Sequence, residues 1–251
     1  MMMNNDSAAE SVFRSDLLAV ADTKLVLGNW YGECVINGRA LPDFAALLGM
    51  ANANFGHARA LYKHLSTPES YAELERGRGA AEIASMNLLD CAPRDWEDFL
   101  ASAWLAEQAT WHLLSGYIGA SDRTVSGIVR RVGQEVYFHI RYFEGWLAVL
   151  AGDNERTRRF QKHFAERFPL ALRWLESGET DDEEIRRVPM EAIRRSFIDK
   201  LGAGSKLLGA PLNTSSASSS LDEWSARLRR SGPLPAGLFE VVRFKDPALA
   251  H

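Results

Sequence analysis

Apolar residues recur at i, i+3, i+4 and i+7 over long stretches of this chain, and no convincing alternating segment interrupts them. That spacing places one side of an α-helix against a core. Residues 12–33 align Leu18, Leu25, Val26 and Trp30, and residues 43–65 align Phe44, Leu47, Ala51, Ala58, Leu61 and Leu65. Residues 95–119 align Trp96, Phe99, Trp104, Trp111 and Ile118, and residues 123–151 align Val125, Val132, Val136, Phe143 and Leu150. Two further helices are expected over 154–177 and 189–203. Breakers and caps agree: Pro42-Asp43 and Pro93-Arg94-Asp95 precede helices, Asp122 can cap the fourth, and Gly152-Asp153-Asn154 closes it.

Four long helices with an excursion over 66–94 between the second and third predict an all-α bundle with a crossover. Residues 12–212 form the expected helical domain. Residues 213–220, NTSSASSS, read as a low-complexity connection to a flexible C-terminal tail. That tail is expected to carry a short helix near 221–230 and a short strand at 239–244. The 251 residues suffice for a core without disulfides or structural metal. Two cysteines, Cys34 and Cys91, lack zinc-type spacing and fit reduced thiols in the cytoplasm. The net charge of −4 with no basic block argues against nucleic acid. No apolar run reaches the roughly 20 residues of a membrane span, nor does the N-terminus carry one of signal-peptide length.

The chemistry lies in polar residues that share a face with the core: Glu33, then Asn54 and His57, then Glu107, then Glu135 and His139. Burying unpaired charges costs several kcal/mol per ion, so mutual hydrogen bonding or a metal must offset them. Carboxylate-bridged di-iron bundles use Glu from two helices and Glu-x-x-His from two others. This chain departs twice: Asn54 precedes His57, and Val136 stands three before His139, with Glu135 displaced by one residue. Too few carboxylates remain for two divalent ions, so one iron or none is expected. Glu33, His57, Glu107 and His139 are the candidate metal ligands, with Asn54 and Glu135 in supporting places. His112 reads as an edge or hydrogen-bonded residue. His163, among Arg156, Arg158, Arg159 and Lys162, reads as part of a solvated face.

Residues 135–150, EVYFHIRYFEGWLAVL, resemble the fourth bundle helix of the phenylacetic acid catabolic protein family, on the side of its structural subunits. Leu25-Val26-Leu27, Gly32-Glu33, Pro42-Asp43 and Gly56-His57-Ala58-Arg59 are similar to its first two helices, and residues 187–212 to its late helix. The resemblance spans about residues 13–212. It implies a ferritin-like fold and a place in a multicomponent oxygenase that epoxidises an aryl-CoA ester with dioxygen. In that family a catalytic subunit holds the di-iron centre, and a related subunit, stripped of most ligands, packs beside it. By this resemblance Glu33, His57, Glu107 and His139 stand at ligand positions, Asn54 and Val136 break the pattern, and Glu135 adjoins a ligand. The expected function is therefore a monooxygenase subunit of phenylacetate catabolism with a degenerate di-iron site, partnered by a catalytic paralogue or by copies of itself. An acyl-CoA is the substrate class implied. Two alternatives stand: a stand-alone metal-dependent oxidoreductase, and a bundle that binds a small molecule through a closed polar network.

Overall fold

Short acidic side chains start the helices. Asp95 Oδ1 accepts from the Asp98 amide at 2.8 Å, Asp122 Oδ1 from those of Thr124 and Val125 at 2.8 and 3.1 Å, and Asp153 Oδ1 from those of Glu155 and Arg156 at 3.0 and 3.1 Å. Each satisfies amides that the first helical turn leaves without partners. Asp43, within the first turn of its helix, instead reaches back to the amides of Arg39 and Ala40 that precede it. The computed structural model describes residues 3–176, 188–210, 212 and 224–243, the side chains of 3–12 excepted.

The chain is an all-α bundle. Its helices are α1 (Met3–Cys34), α2 (Leu41–Leu65), α3 (Trp96–Ser115), α4 (Arg123–Leu150), α5 (Asn154–Trp174) and α6 (Met190–Leu207). α3 ends four residues before the expected 119, where the chain turns through Gly119 at φ +79°. Residues 66–94 form the crossover and contain only short helical turns. α3 is enclosed on every side: Phe99, Ala103, Leu105, Ala106, Ala109 and Leu113 lie at successive angles and are all buried. Residues 19–31 of α1 are likewise buried without a break. α2 and α4 keep one outer face in solvent.

Buried ion pairs fasten the non-helical segments to this body. Asp22 of α1 binds Arg78 of the crossover at 2.8 and 2.5 Å and also accepts from Tyr62 Oη and the Ala84 amide, each at 2.6 Å. Asp16 receives Arg229 at 2.5 Å and Tyr117 Oη at 2.6 Å. Arg230 binds Asp90 at 3.0 Å and Ser85 Oγ at 3.0 Å.

Two expectations fail in the tail. The helix placed near 221–230 is, over its described part, a hairpin in which β1 (Trp224–Ser225) pairs with β2 (Arg230–Ser231). Its turn holds Arg229 at φ +53°, a conformation no helix uses. The strand placed at 239–244 is instead α7 (Ala236–Val242), which follows Pro235 at φ −53°. Of the segment expected to be a flexible tail, residues 224–243 are anchored by the two buried arginines, while 213–223 and 244–251 lie outside the described residues. No helix among the described residues is long and apolar enough to cross a membrane.

Candidate functional site

Full enclosure of α3 places Glu107 at the centre of the bundle, with no exposed surface. The Lys24 ammonium of α1 lies against Oε2. Oε1 accepts from Tyr31 Oη at 3.0 Å, from Asn54 Nδ2 of α2 at 3.0 Å and from His139 Nδ1 of α4 at 2.9 Å. Three helices therefore converge on one carboxylate of a fourth. The buried carboxylate meets one buried ammonium, and three further hydrogen-bond donors complete the shell.

The electrostatics follow from burial and from this shell. Burial alone pushes the Glu107 carboxyl up, but Lys24 and then His139 overcome it, so the group is held well below the usual carboxylate range. Burial, then the adjacent Glu107 charge, raises the Tyr31 phenol well above its ordinary value and keeps it a donor. With Glu107 ionised, His139 Nδ1 carries the hydrogen that bridges to it.

Next to this shell, His57 Nε2 lies 2.9 Å from Glu135 Oε2 across the α2–α4 seam. The rings of His57 and His139 are 6.2 Å apart. Burial, then Lys24, lowers the pKa of His57 to about 4 although Glu107 and Glu135 oppose the shift. The ring is neutral at pH 7, and Nε2–H donates to the carboxylate. His57 Nδ1 and Asn54 Oδ1, one turn apart on α2, are buried acceptors with no hydrogen-bond partner among the described residues.

Those two acceptors have the spacing of half a metal site, but the whole donor set does not fit iron. Among the described residues no three His, Cys, Asp or Glu side chains converge as metal ligands. The central carboxylate is already engaged on both oxygens, one of them by a cation. Glu33 is exposed and stands apart from the cluster, contrary to its expected inward placement. It lies two residues beyond Tyr31, about 200° around the helix. α1 turns Lys24 and Tyr31 inward instead, seven residues apart on one face. Apolar periodicity marks neither of them. A lysine within the apolar run Leu17–Leu27 was the available signal, since an unpaired ammonium is not buried there without a counter-charge.

His163 also departs from expectation. It is buried rather than on a solvated face, with Nε2 3.0 Å from Asp95 and Nδ1 2.7 Å from Arg94. Arg156 and Arg159 turn toward Glu97 at 2.6 and 3.3 Å. His112 is hydrogen-bonded through Nδ1 to the Gln108 carbonyl at 2.7 Å.

A groove of about 1040 Å³ opens between α2 and α4 above the cluster. Ala45, Gly49, Ala53 and Gly56 keep its α2 wall low, and Phe138 and Tyr142 form the α4 wall. His57, Glu135 and His139 lie along it, and Arg59, Lys63 and Arg131 stand toward one end. Asp43 Oδ1 closes the other end by accepting from Tyr142 Oη at 2.9 Å and Trp146 Nε1 at 3.0 Å.

The His57 shift sets a pH dependence. The unfolded chain protonates its imidazole near the ordinary 6.5, whereas the folded chain does so at about 4. Stability should be level above pH 6.5 and fall between pH 6.5 and 4 by roughly 3 kcal/mol from this residue. Denaturant midpoints across that range should drop, and His57→Gln should flatten the drop. A parallel pH profile in the variant would refute the assignment to His57.

A family model described as phenylacetic acid catabolic protein matches residues 2–223. No curated protein matches the chain.

Proposed function

The chain belongs to the phenylacetic acid catabolic protein family, whose members are oxygenase components of phenylacetate catabolism, and on that premise we propose that it is a non-catalytic subunit. Its ferritin-like helical domain, residues 12–212, packs beside a catalytic paralogue in a cytoplasmic phenylacetyl-CoA epoxidase-type complex. The observation that carries this reading is the Lys24–Glu107 pair, which supplies within the chain the positive charge that a metal would bring. The site is a degenerate di-iron centre held together by hydrogen bonds. Exposed apolar residues support a docking role: Ile36 and Leu41 are 84% and 80% exposed, and Phe44 and Leu48 continue their line along α2.

Metal analysis and co-purification test this together. After anaerobic iron loading and desalting, the chain should retain less than about 0.1 iron per molecule, because binding would require displacing the ammonium. Co-expressed with a catalytic paralogue, it should purify as a stable complex. One iron per chain, or turnover by the chain alone, would instead establish the stand-alone oxidoreductase. A clean homo-oligomer with no affinity for a paralogue would remove the scaffold role. Arg59, Lys63 and Arg131 beside the apolar groove support contact with an acyl-CoA, and co-elution of that thioester with the same complex, but not with its Lys63→Glu form, checks it.

A further inference from the structure

A second pocket, of about 560 Å³, lies where α1, the end of α2, the crossover and the β1–β2 hairpin meet. It shares no lining residue with the α2–α4 groove. Leu18 of α1, Leu65 of α2, Leu74 of the crossover and Leu228 of the hairpin give it apolar walls. Two bonds to α1 fix the hairpin side. Ser15 Oγ donates to the Arg227 carbonyl at 2.6 Å, and Arg229 donates to Asp16 at 2.5 Å. The elements that frame the pocket are therefore already tied together.

Arg14 and Arg227 also line this pocket, and both are exposed. Neither has an ion-pair partner among the described residues, whereas Arg78, Arg229 and Arg230 are each bound to an aspartate. Arg14 Nη2 donates to the Leu65 carbonyl at 2.8 Å, which holds the guanidinium beside an apolar wall and leaves Nε and Nη1 unspent. Ser225 Oγ accepts from the Leu228 amide at 3.2 Å and keeps its own O–H to donate. One carboxylate opposes these donors: Glu82 lines the pocket, with Oε2 turned to the Gly79 amide at 2.7 Å. Arg78 stands in the wall but is neutralised by Asp22. Two guanidiniums against one carboxylate leave a single positive charge.

We propose that this pocket binds an apolar monocarboxylate, such as a short fatty acid, with Arg14 and Arg227 on the carboxylate and the leucines around the chain. Hydrogen bonds from guanidinium to carboxylate are charge-assisted and stronger than neutral ones. The single net positive charge matches a monoanion, and Glu82 repels a second negative charge, which disfavours a phosphate ester. Each methylene removed from water by the leucines adds to affinity, so the acid must carry a hydrocarbon body. The volume falls within the range of small-molecule sites.

The probe is hexanoate, with 1-hexanol as the control that lacks the charge and acetate as the control that lacks the chain. Each is titrated into the full chain and followed by amide chemical shifts. Hexanoate should bind at least about tenfold more tightly than either control, the effect of roughly one net hydrogen bond to a charged group. Its shifts should centre on Leu18, Leu74 and Leu228. Arg14→Gln and Arg227→Gln, both at exposed positions where the fold is not at stake, should each weaken hexanoate several-fold and leave 1-hexanol unchanged. Together they should bring hexanoate down to the 1-hexanol level. Lys63→Glu in the α2–α4 groove should have no effect. The proposal would be overturned by no saturable shift up to about 20 mM hexanoate, by a control that binds as tightly, by affinity indifferent to both arginine substitutions, or by loss of binding in Lys63→Glu.

Discussion

Lys24→Met should destabilise the protein by about 3–5 kcal/mol, the usual consequence of leaving one member of a buried pair without its partner. Glu107 would keep three hydrogen-bond donors, from Tyr31, Asn54 and His139, but lose its ammonium partner. Glu107→Gln should cost a similar amount by stranding the ammonium. The double variant Lys24→Met with Glu107→Gln should recover much of the loss, because it contains neither buried charge. Urea unfolding of the four proteins gives the coupling directly. Additive single losses would mean that the two groups do not act as a pair. Glu33→Gln is the internal control: at an exposed site apart from the cluster it should stay within about 0.5 kcal/mol of the parent.

Asp22→Ala is expected to be comparably severe and to act at another place. It removes both bonds to Arg78, one to Tyr62 and one to the Ala84 amide, all within the protein interior. Arg78 is only 9% exposed and cannot turn to water without moving the crossover. A loss of about 3–5 kcal/mol should accompany new proteolytic cleavage within residues 66–94. Asp22→Asn keeps the shape and loses the charge, so it should fall between the two. Loss of stability with no change in the cleavage pattern would show that Asp22 does not hold the crossover.

The sequence spoke clearly where a helix has an inside and an outside. α4 was expected over 123–151 and spans Arg123–Leu150, because its apolar stripe is one-sided. α3 and the middle of α1 have no outer face, so their periodicity carries no direction. Periodicity therefore does not separate Glu33, which is exposed, from Lys24 and Tyr31, which face Glu107. Glu107, His139, Asn54 and the His57–Glu135 pair were legible because each breaks an otherwise apolar stretch. The tail departs from expectation for another reason. Its conformation follows from Arg229 and Arg230 reaching partners more than a hundred residues away, and no local pattern records that.

The buried charges of α1 also determine how it is seated lengthwise. A helix apolar on all sides can slide or rotate among its neighbours at little cost, since every face is welcome in the core. Asp16, Asp22 and Lys24 remove that freedom. A slip of one turn, about 5.4 Å, would bring Val20 or Gly28 opposite Glu107 and carry Lys24 into hydrocarbon, while Arg78 and Arg229 would lose their carboxylates together. Three charges of fixed sign at fixed heights thus act as a key, admitting α1 in one register and rejecting the neighbouring ones.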